Sequence, residues 1–189
     1  MNTNNIKHEQ ANSFQINKIL IVMTAQHILY NYSKYNLWAN GMMTQWLLSK
    51  DHGLMDVELN SSFPTINKTL SHIWVAEYIW MCRIEGIVGN KLSGRHDGKE
   101  ISGICHDLLE VSQYYIKKSE EISENDLSQK FRYKYLSGDD GESELIDIMH
   151  HVLNHSTYHR GQLVTMGREL GFTDPPKTDY IQYVREKSV

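Results

Sequence analysis

The C-terminal third of the chain carries four closely spaced histidines, His150, His151, His155 and His159. On an α-helix, the last three fall within about 80° of one another, while His150 points elsewhere. Histidines four residues apart lie about 6 Å apart along the helix axis, so their imidazoles can bind one metal ion together. Apolar residues on the same face favour this interpretation. The HxxxH spacing alone is only moderately specific, because hydrogen-bonded or solvent-facing histidine pairs also show it.

A further histidine, His72, lies beside the apolar stripe of a different predicted helix, about 120° from the centre of that stripe. A lone histidine in such a position is more typical of a hydrogen-bonded residue at the boundary of the core. The helical periodicity alone does not show whether His72 lies near the other histidines.

Four long segments repeat apolar residues at three- and four-residue steps, which predicts amphipathic helices. Gly53 is expected to end the first helix, Pro64 to lie in the first turn of the second, and Gly171 to follow the end of the fourth. A short final helix is predicted as well. The predicted segments are residues 24–50, about 64–86, 100–123, 142–170 and 180–186.

Before the fourth helix, aromatic and basic residues alternate from Phe131 to Tyr135, and a glycine-containing polar stretch follows. This alternation favours a short extended arm or hairpin. The predicted fold is therefore all-α, an antiparallel four-helix bundle with a short irregular or β-like arm before helix 4. Residues 1–22 are expected to form a partly disordered N-terminal extension, and residues 23–189 the bundle domain.

The composition argues against several classes of partner. The formal net charge is −4 with 22% charged residues, which does not favour nucleic acid or an acidic membrane. No stretch approaches the ~20 apolar residues of a membrane helix, and residues 1–15 lack the features of a signal peptide. The two cysteines, Cys82 and Cys105, form no CxxC motif, which favours a reduced, cytoplasmic protein.

Several motifs resemble those of the DinB/YfiT-like family. Residues 154–162, NHSTYHRGQ, resemble its nHxxxHRGQ signature, and residues 35–40, YNLWAN, resemble its first-helix YNxWAN. The sequence around His72 is similar to the metal-histidine region of its second helix, and residues 168–181 are similar to its closing segment. The resemblance is collinear over about residues 23–185. The N-terminal extension and the tyrosine-rich segment 130–135 depart from the pattern.

The resemblance implies a four-helix bundle, usually dimeric, in which His72, His155 and His159 bind a divalent metal and His151 is a neighbour. Three imidazoles leave an open coordination position, as in catalytic sites, and suit Zn²⁺, Ni²⁺ or Fe²⁺. Related families include thiol S-transferases, with a small-molecule thiol and an electrophile as partners, and metal-dependent hydrolases. Thiol transfer is favoured, because Ser156 stands where an HExxH hydrolase has its glutamate. A non-catalytic metal-binding stress protein is the remaining alternative.

Other residues are expected near the metal ligands. Gln162, Tyr158 and Glu77 are candidates for contacts with the histidines. Arg160 points away from the ligand face and is expected in a salt bridge or an interface. Gly161, which is unfavourable inside a helix, is expected to mark close backbone packing.

Overall fold

The computed structural model describes residues 24–87, 96, 98–135 and 137–187. The predicted all-α bundle with a β-like arm before its fourth helix is confirmed. The predicted N-terminal extension, residues 1–22, lies outside the described residues. The elements are α1 (Ala25–Leu48), α2 (Ile66–Ile84), α3 (Ile101–Glu121), β1 (Lys130–Lys134), β2 (Asp140–Glu144), α4 (Leu145–Glu169) and α5 (Tyr180–Lys187).

The four long helices pack around the bundle in the order α1, α3, α2, α4, and α4 in turn contacts α1. Helices α1 and α2 therefore lie diagonally across the bundle, and so do α3 and α4. In the described part of the chain, no helix combines the length and apolar character needed to cross a membrane.

Each long helix buries its apolar stripe in the centre of the bundle, where removal of apolar surface from water stabilises the fold by about 25 cal/mol per Å². Residues of all four helices contribute to this core. Its fully buried members include Leu29, Met43, Leu47, Ile66, Leu70, Ile73, Trp74, Ile104, Leu108, Tyr115, Ile148, Val152 and Leu163.

The first helix was predicted to extend to residue 50, before the stop at Gly53, and α1 ends two residues earlier, at Leu48. Residues His52–Leu54 form a separate 3₁₀ turn, because the Asp51 carboxylate accepts the Gly53 N–H at 2.9 Å and caps it.

The predicted start of the second helix is also too early. Thr65 is the N-cap of α2, and its hydroxyl accepts the backbone N–H of Lys68 at 3.1 Å. Pro64 therefore precedes the helix and does not lie in its first turn. The cap fixes where α2 begins, and with it the position of His72.

The end of α4 agrees with the prediction. Gly171 has a φ of 81°, which favours glycine, and its N–H donates to the Arg168 carbonyl. The N–H of Phe172 donates to the Gly167 carbonyl, which completes a Schellman motif. Phe172 is buried against Trp46 of α1, so the helix end is attached to the core.

The arm before α4 is an antiparallel hairpin in which Lys130 pairs with Glu144 and Lys134 with Asp140. It packs on α2, where the guanidinium of Arg83 lies 4.3 Å from the ring centre of Trp80 and 4.5 Å from that of Tyr133. Such cation–π contacts attach the hairpin to the bundle next to the start of α4.

Candidate metal centre

Helices α2 and α4 bring His72, His155 and His159 together. The Nε2 atom of His155 lies 3.1 Å from Nε2 of His72 and 3.1 Å from Nε2 of His159. His159 is buried and the other two side chains are half-buried. Three imidazole nitrogens therefore converge on one point between the two helices.

Burial shifts the titration of all three rings toward the neutral form. Desolvation and the charge of His159 lower the pKa of His72 to about 4. Desolvation, together with the neighbouring histidines, lowers the pKa of His155 to about 3. Desolvation also lowers the pKa of His159, despite a hydrogen bond with Gln162 that raises it. At neutral pH the three rings are uncharged, which is the form that binds metal.

The hydrogen bond of Gln162 determines how His159 presents its ring. Oε1 of Gln162 lies 2.6 Å from Nδ1 of His159, so with the amide oxygen in this position Nδ1 carries the proton. Nε2 of His159 then has a lone pair directed at the cluster. Gln162 was expected near the ligands, and it contacts one of them.

Aromatic side chains surround the cluster. Phe63 stacks on His72 with ring centres 3.9 Å apart, and Tyr158 meets His159 edge-on at 4.9 Å. Tyr158 is 64% exposed, so it covers the cluster only in part. The Nδ1 atom of His155 is buried, without a hydrogen-bond partner among the described residues.

His151 lies outside the cluster, although its helical phase matches that of His155 and His159. Its ring centre is 5.6 Å from that of His155 and 5.6 Å from that of Trp80, and the side chain is exposed. It lies beside the site, as the family resemblance implies.

The geometry fits a metal ion. A tetrahedral ion with nitrogen ligands at about 2.0–2.1 Å keeps those nitrogens about 3.3 Å apart, close to the two observed distances of 3.1 Å. Without a cation, one proton on Nε2 of His155 can serve only one of its two neighbours. A cation binds all three lone pairs at once, so the three histidines can hold a metal.

Glu77 of α2 is fully buried in the bundle and accepts four side-chain hydrogen bonds. Asn36 and Asn40 of α1 donate their amide N–H groups to Oε1 at 2.8 and 3.1 Å. Ser156 donates to the same oxygen at 2.8 Å, and Ser112 donates to Oε2 at 2.7 Å. Burial raises the pKa of Glu77, and these hydrogen bonds oppose the rise. None of its described contacts is with a cluster histidine, so the expected contact of Glu77 with the ligands is not found.

Arg160 of α4 joins this network through the same two asparagines. Its Nη1 donates to Oδ1 of Asn36 at 2.7 Å and to Oδ1 of Asn40 at 2.8 Å, and its Nη2 donates to Thr157. Each asparagine thus donates to Glu77 and accepts from Arg160. The arginine was expected in a salt bridge or an interface; it is 2% exposed, and its contacts favour the first role, because the two asparagines mediate its pairing with the glutamate.

The asparagines were missed as a functional pair by the sequence reasoning. Their four-residue spacing on the mainly apolar buried face of α1 was the available signal, because buried amides require partners. The network contacts Ser156, Thr157 and Arg160, which lie between or beside the two ligands of α4, and so it fixes the position of that helix.

The prediction for Gly161 is wrong. A Cβ at this position would meet no described atom within 4 Å. The glycine on α4 that requires close approach is Gly167, where a Cβ would lie 2.4 Å from the Trp46 ring. Both glycines lie on α4, but only Gly167 faces α1.

Two clefts lie near the histidine cluster, and the first is lined in part by His72. One, of about 320 Å³, is lined by Phe63, Ser71, His72 and His96, among others. The second, of about 310 Å³, is lined by Tyr158, Gly161 and Gln162. The first cleft therefore has room for a small molecule beside His72, whereas the second meets only residues next to the cluster, Tyr158 and Gln162.

Comparison with known proteins agrees with the motif resemblance. The family model described as DinB family matches residues 23–187. Among curated proteins, the chain is similar to "Protein DinB" of Bacillus subtilis (strain 168), with 27% identity over 158 residues. The match covers 80% of this chain and 90% of that protein.

Proposed function

The chain belongs to the DinB family, and we propose that it is a metal-dependent enzyme whose divalent ion is bound by His72, His155 and His159. The observation that carries the proposal is the convergence of three neutral imidazoles on one point, with two Nε2–Nε2 distances of 3.1 Å. Three protein ligands leave a coordination position for a reactant, which is typical of catalytic sites.

The ligand set suits Zn²⁺, Ni²⁺ or Fe²⁺, since imidazole is a borderline ligand that all three ions accept. When bound, such an ion lowers the pKa of a coordinated water or thiol toward neutrality. Gln162 holds the His159 ring in the required tautomer, and Phe63 limits the movement of His72. Two of the three ligands, His159 and His72, are thereby oriented before the ion binds.

We propose transfer of a small-molecule thiol to an electrophile as the reaction. Metal-dependent hydrolysis ordinarily uses a carboxylate base, and the nearby Glu77 is fully buried and already accepts four hydrogen bonds. Ser156 occupies the position of the HExxH glutamate, and its hydroxyl donates to Glu77. A metal-activated thiol is itself the nucleophile and needs no such base.

A purely metal-binding role is less well supported. It would be favoured if side chains filled the space around the cluster, but the cleft of about 320 Å³ reaches both Phe63 and His72. From the family resemblance, we also propose that the chain forms a homodimer.

The test measures thiol conjugation by metal-loaded protein. A panel of low-molecular-weight thiols is incubated with an aryl halide electrophile, and loss of free thiol is followed. Wild type and His151→Ala are expected to exceed the buffer rate for at least one thiol, and His155→Ala is not. Wild-type rates equal to buffer for every thiol would refute the proposed reaction.

A further inference from the structure

Besides the histidine cluster, the cleft of about 320 Å³ borders a second group of reactive side chains. Ser71, the residue before His72 on α2, has its Oγ 2.8 Å from Nδ1 of His96. Nε2 of the same imidazole lies 3.1 Å from Oδ2 of Asp107 on α3. Ser71 and His96 both line the cleft.

These contacts define the protonation of the imidazole. The Asp107 carboxylate only accepts hydrogen bonds when ionised, so Nε2 of His96 carries the proton and donates it. Nδ1 is then unprotonated and accepts the hydroxyl proton of Ser71. The order hydroxyl, imidazole, carboxylate is that of a nucleophilic triad, with the two ring nitrogens exchanged relative to serine proteases.

The surroundings keep this arrangement in place. The His96 side chain is 3% exposed and its ring lies 4.5 Å from that of Trp74. Burial would raise the pKa of Asp107, but hydrogen bonds from Lys99 and His96 outweigh it and lower the pKa to about 2. The carboxylate is therefore ionised at neutral pH and can stabilise a positively charged imidazole.

We propose that Ser71 is a nucleophile for small acyl esters, with His96 as its general base and Asp107 as the group that orients His96. The Ser71 Oγ forms a bond with the ester carbonyl carbon while its proton moves to Nδ1 of His96. The carbon–oxygen bond to the alcohol then breaks, and the alcohol takes the proton from Nδ1. Water attacks the acyl-serine, gives a proton to Nδ1, and releases the acid as that proton returns to Ser71.

The cleft suits this chemistry. Lys68 lies one helical turn before Ser71 and also lines the cleft, so it adds a positive charge to the cleft lining, and this charge favours a substrate that develops negative charge. The volume accommodates a short-chain ester. The reaction needs no metal, so it is separate from the proposed thiol transfer although both sites border one cleft.

A fluorophosphonate probe tests the proposal, because it bonds to an activated serine oxygen with loss of fluoride. Wild-type protein, treated with chelator, is expected to gain the mass of one phosphonyl group, and peptide mapping is expected to place it on Ser71. Substitution His96→Gln is expected to slow the labelling at least about a hundredfold. Ser102→Ala, an exposed serine of α3, is the matched control and should label like wild type.

The outcomes separate the two sites. Labelling in chelator depends on Ser71 and His96 and needs no metal, whereas thiol conjugation requires metal. Absence of an adduct on wild-type Ser71, or a labelling rate unchanged by His96→Gln, would overturn the proposal. Ser71 and Asp107 would then only hold His96 against the bundle. Because the adduct is mapped on wild-type protein, the test does not depend on a folded Ser71 variant.

Discussion

Replacing Arg160 by methionine tests the buried network that positions α4. Methionine keeps most of the volume but removes the donors that satisfy Asn36 and Asn40 at 2.7 and 2.8 Å. Each unpaired buried amide oxygen costs about 1–3 kcal/mol. The substitution also leaves the fully buried Glu77 without its opposite charge, so the total loss is expected at about 3–5 kcal/mol, typical of a broken buried pair.

The assay is urea unfolding of metal-free protein, with thermal unfolding as a second readout. A loss of 3–5 kcal/mol corresponds to a decrease in Tm of about 6–20 °C for a domain of this size. Arg168→Met, an exposed arginine of the same helix, is the matched control and should change stability by less than about 0.5 kcal/mol.

A second substitution separates charge from packing. In the Arg160→Met background, Glu77→Gln removes the uncompensated charge and is expected to recover about 1–2 kcal/mol. A loss below about 1 kcal/mol for Arg160→Met, or no recovery on adding Glu77→Gln, would refute the role assigned to the network.

Two further predictions concern packing and pH. Gly167→Ala is expected to lower stability by about 1–3 kcal/mol because its Cβ would lie 2.4 Å from Trp46, whereas Gly161→Ala has open space and should raise it by up to about 1 kcal/mol. Equal thermal shifts in the two variants would contradict this. Burial lowers the pKa of His155 to about 3 and of His72 to about 4 from 6.5, so the unfolded state binds more protons between these values. The free energy of unfolding of the metal-free protein should therefore decrease as pH falls from 6.5 to about 4. His155→Ala should make this decrease with pH smaller. A free energy of unfolding in urea that is independent of pH in this range would be inconsistent with buried neutral rings.

The helices could be predicted from the sequence because each amphipathic segment carries its own three- and four-residue pattern. Their ends were less accurate, since capping depends on single side chains. Thr65 is the N-cap of α2, so Pro64 precedes the helix and does not lie in its first turn. Helix α1 ends at Leu48, two residues before its predicted end at residue 50, and Asp51 caps a separate turn.

The candidate ligands show where periodicity stops being sufficient. Helical phase groups His151 with His155 and His159, yet His151 is exposed beside Trp80. His72 is 83 residues from His155 in sequence, and a one-dimensional pattern contains no information on such a contact. The family motifs supplied that step.

The remaining site residues depend on tertiary contacts in the same way. Asn36 and Arg160 are 124 positions apart, and Ser71 and His96 are 25 positions apart. Neither pair has a local signal beyond the presence of polar residues in apolar surroundings. Only the packing of the helices shows that these side chains form hydrogen bonds with one another.

Metal content of the untagged protein tests the three-histidine site most directly. Protein is loaded with Zn²⁺, freed of excess by gel filtration and measured by elemental analysis. Wild type and His151→Ala are expected to retain about one ion per chain, and His155→Ala to retain little, since only two ligands remain. Negligible metal in wild type, or equal metal in wild type and His155→Ala, would contradict a metal site at His72, His155 and His159.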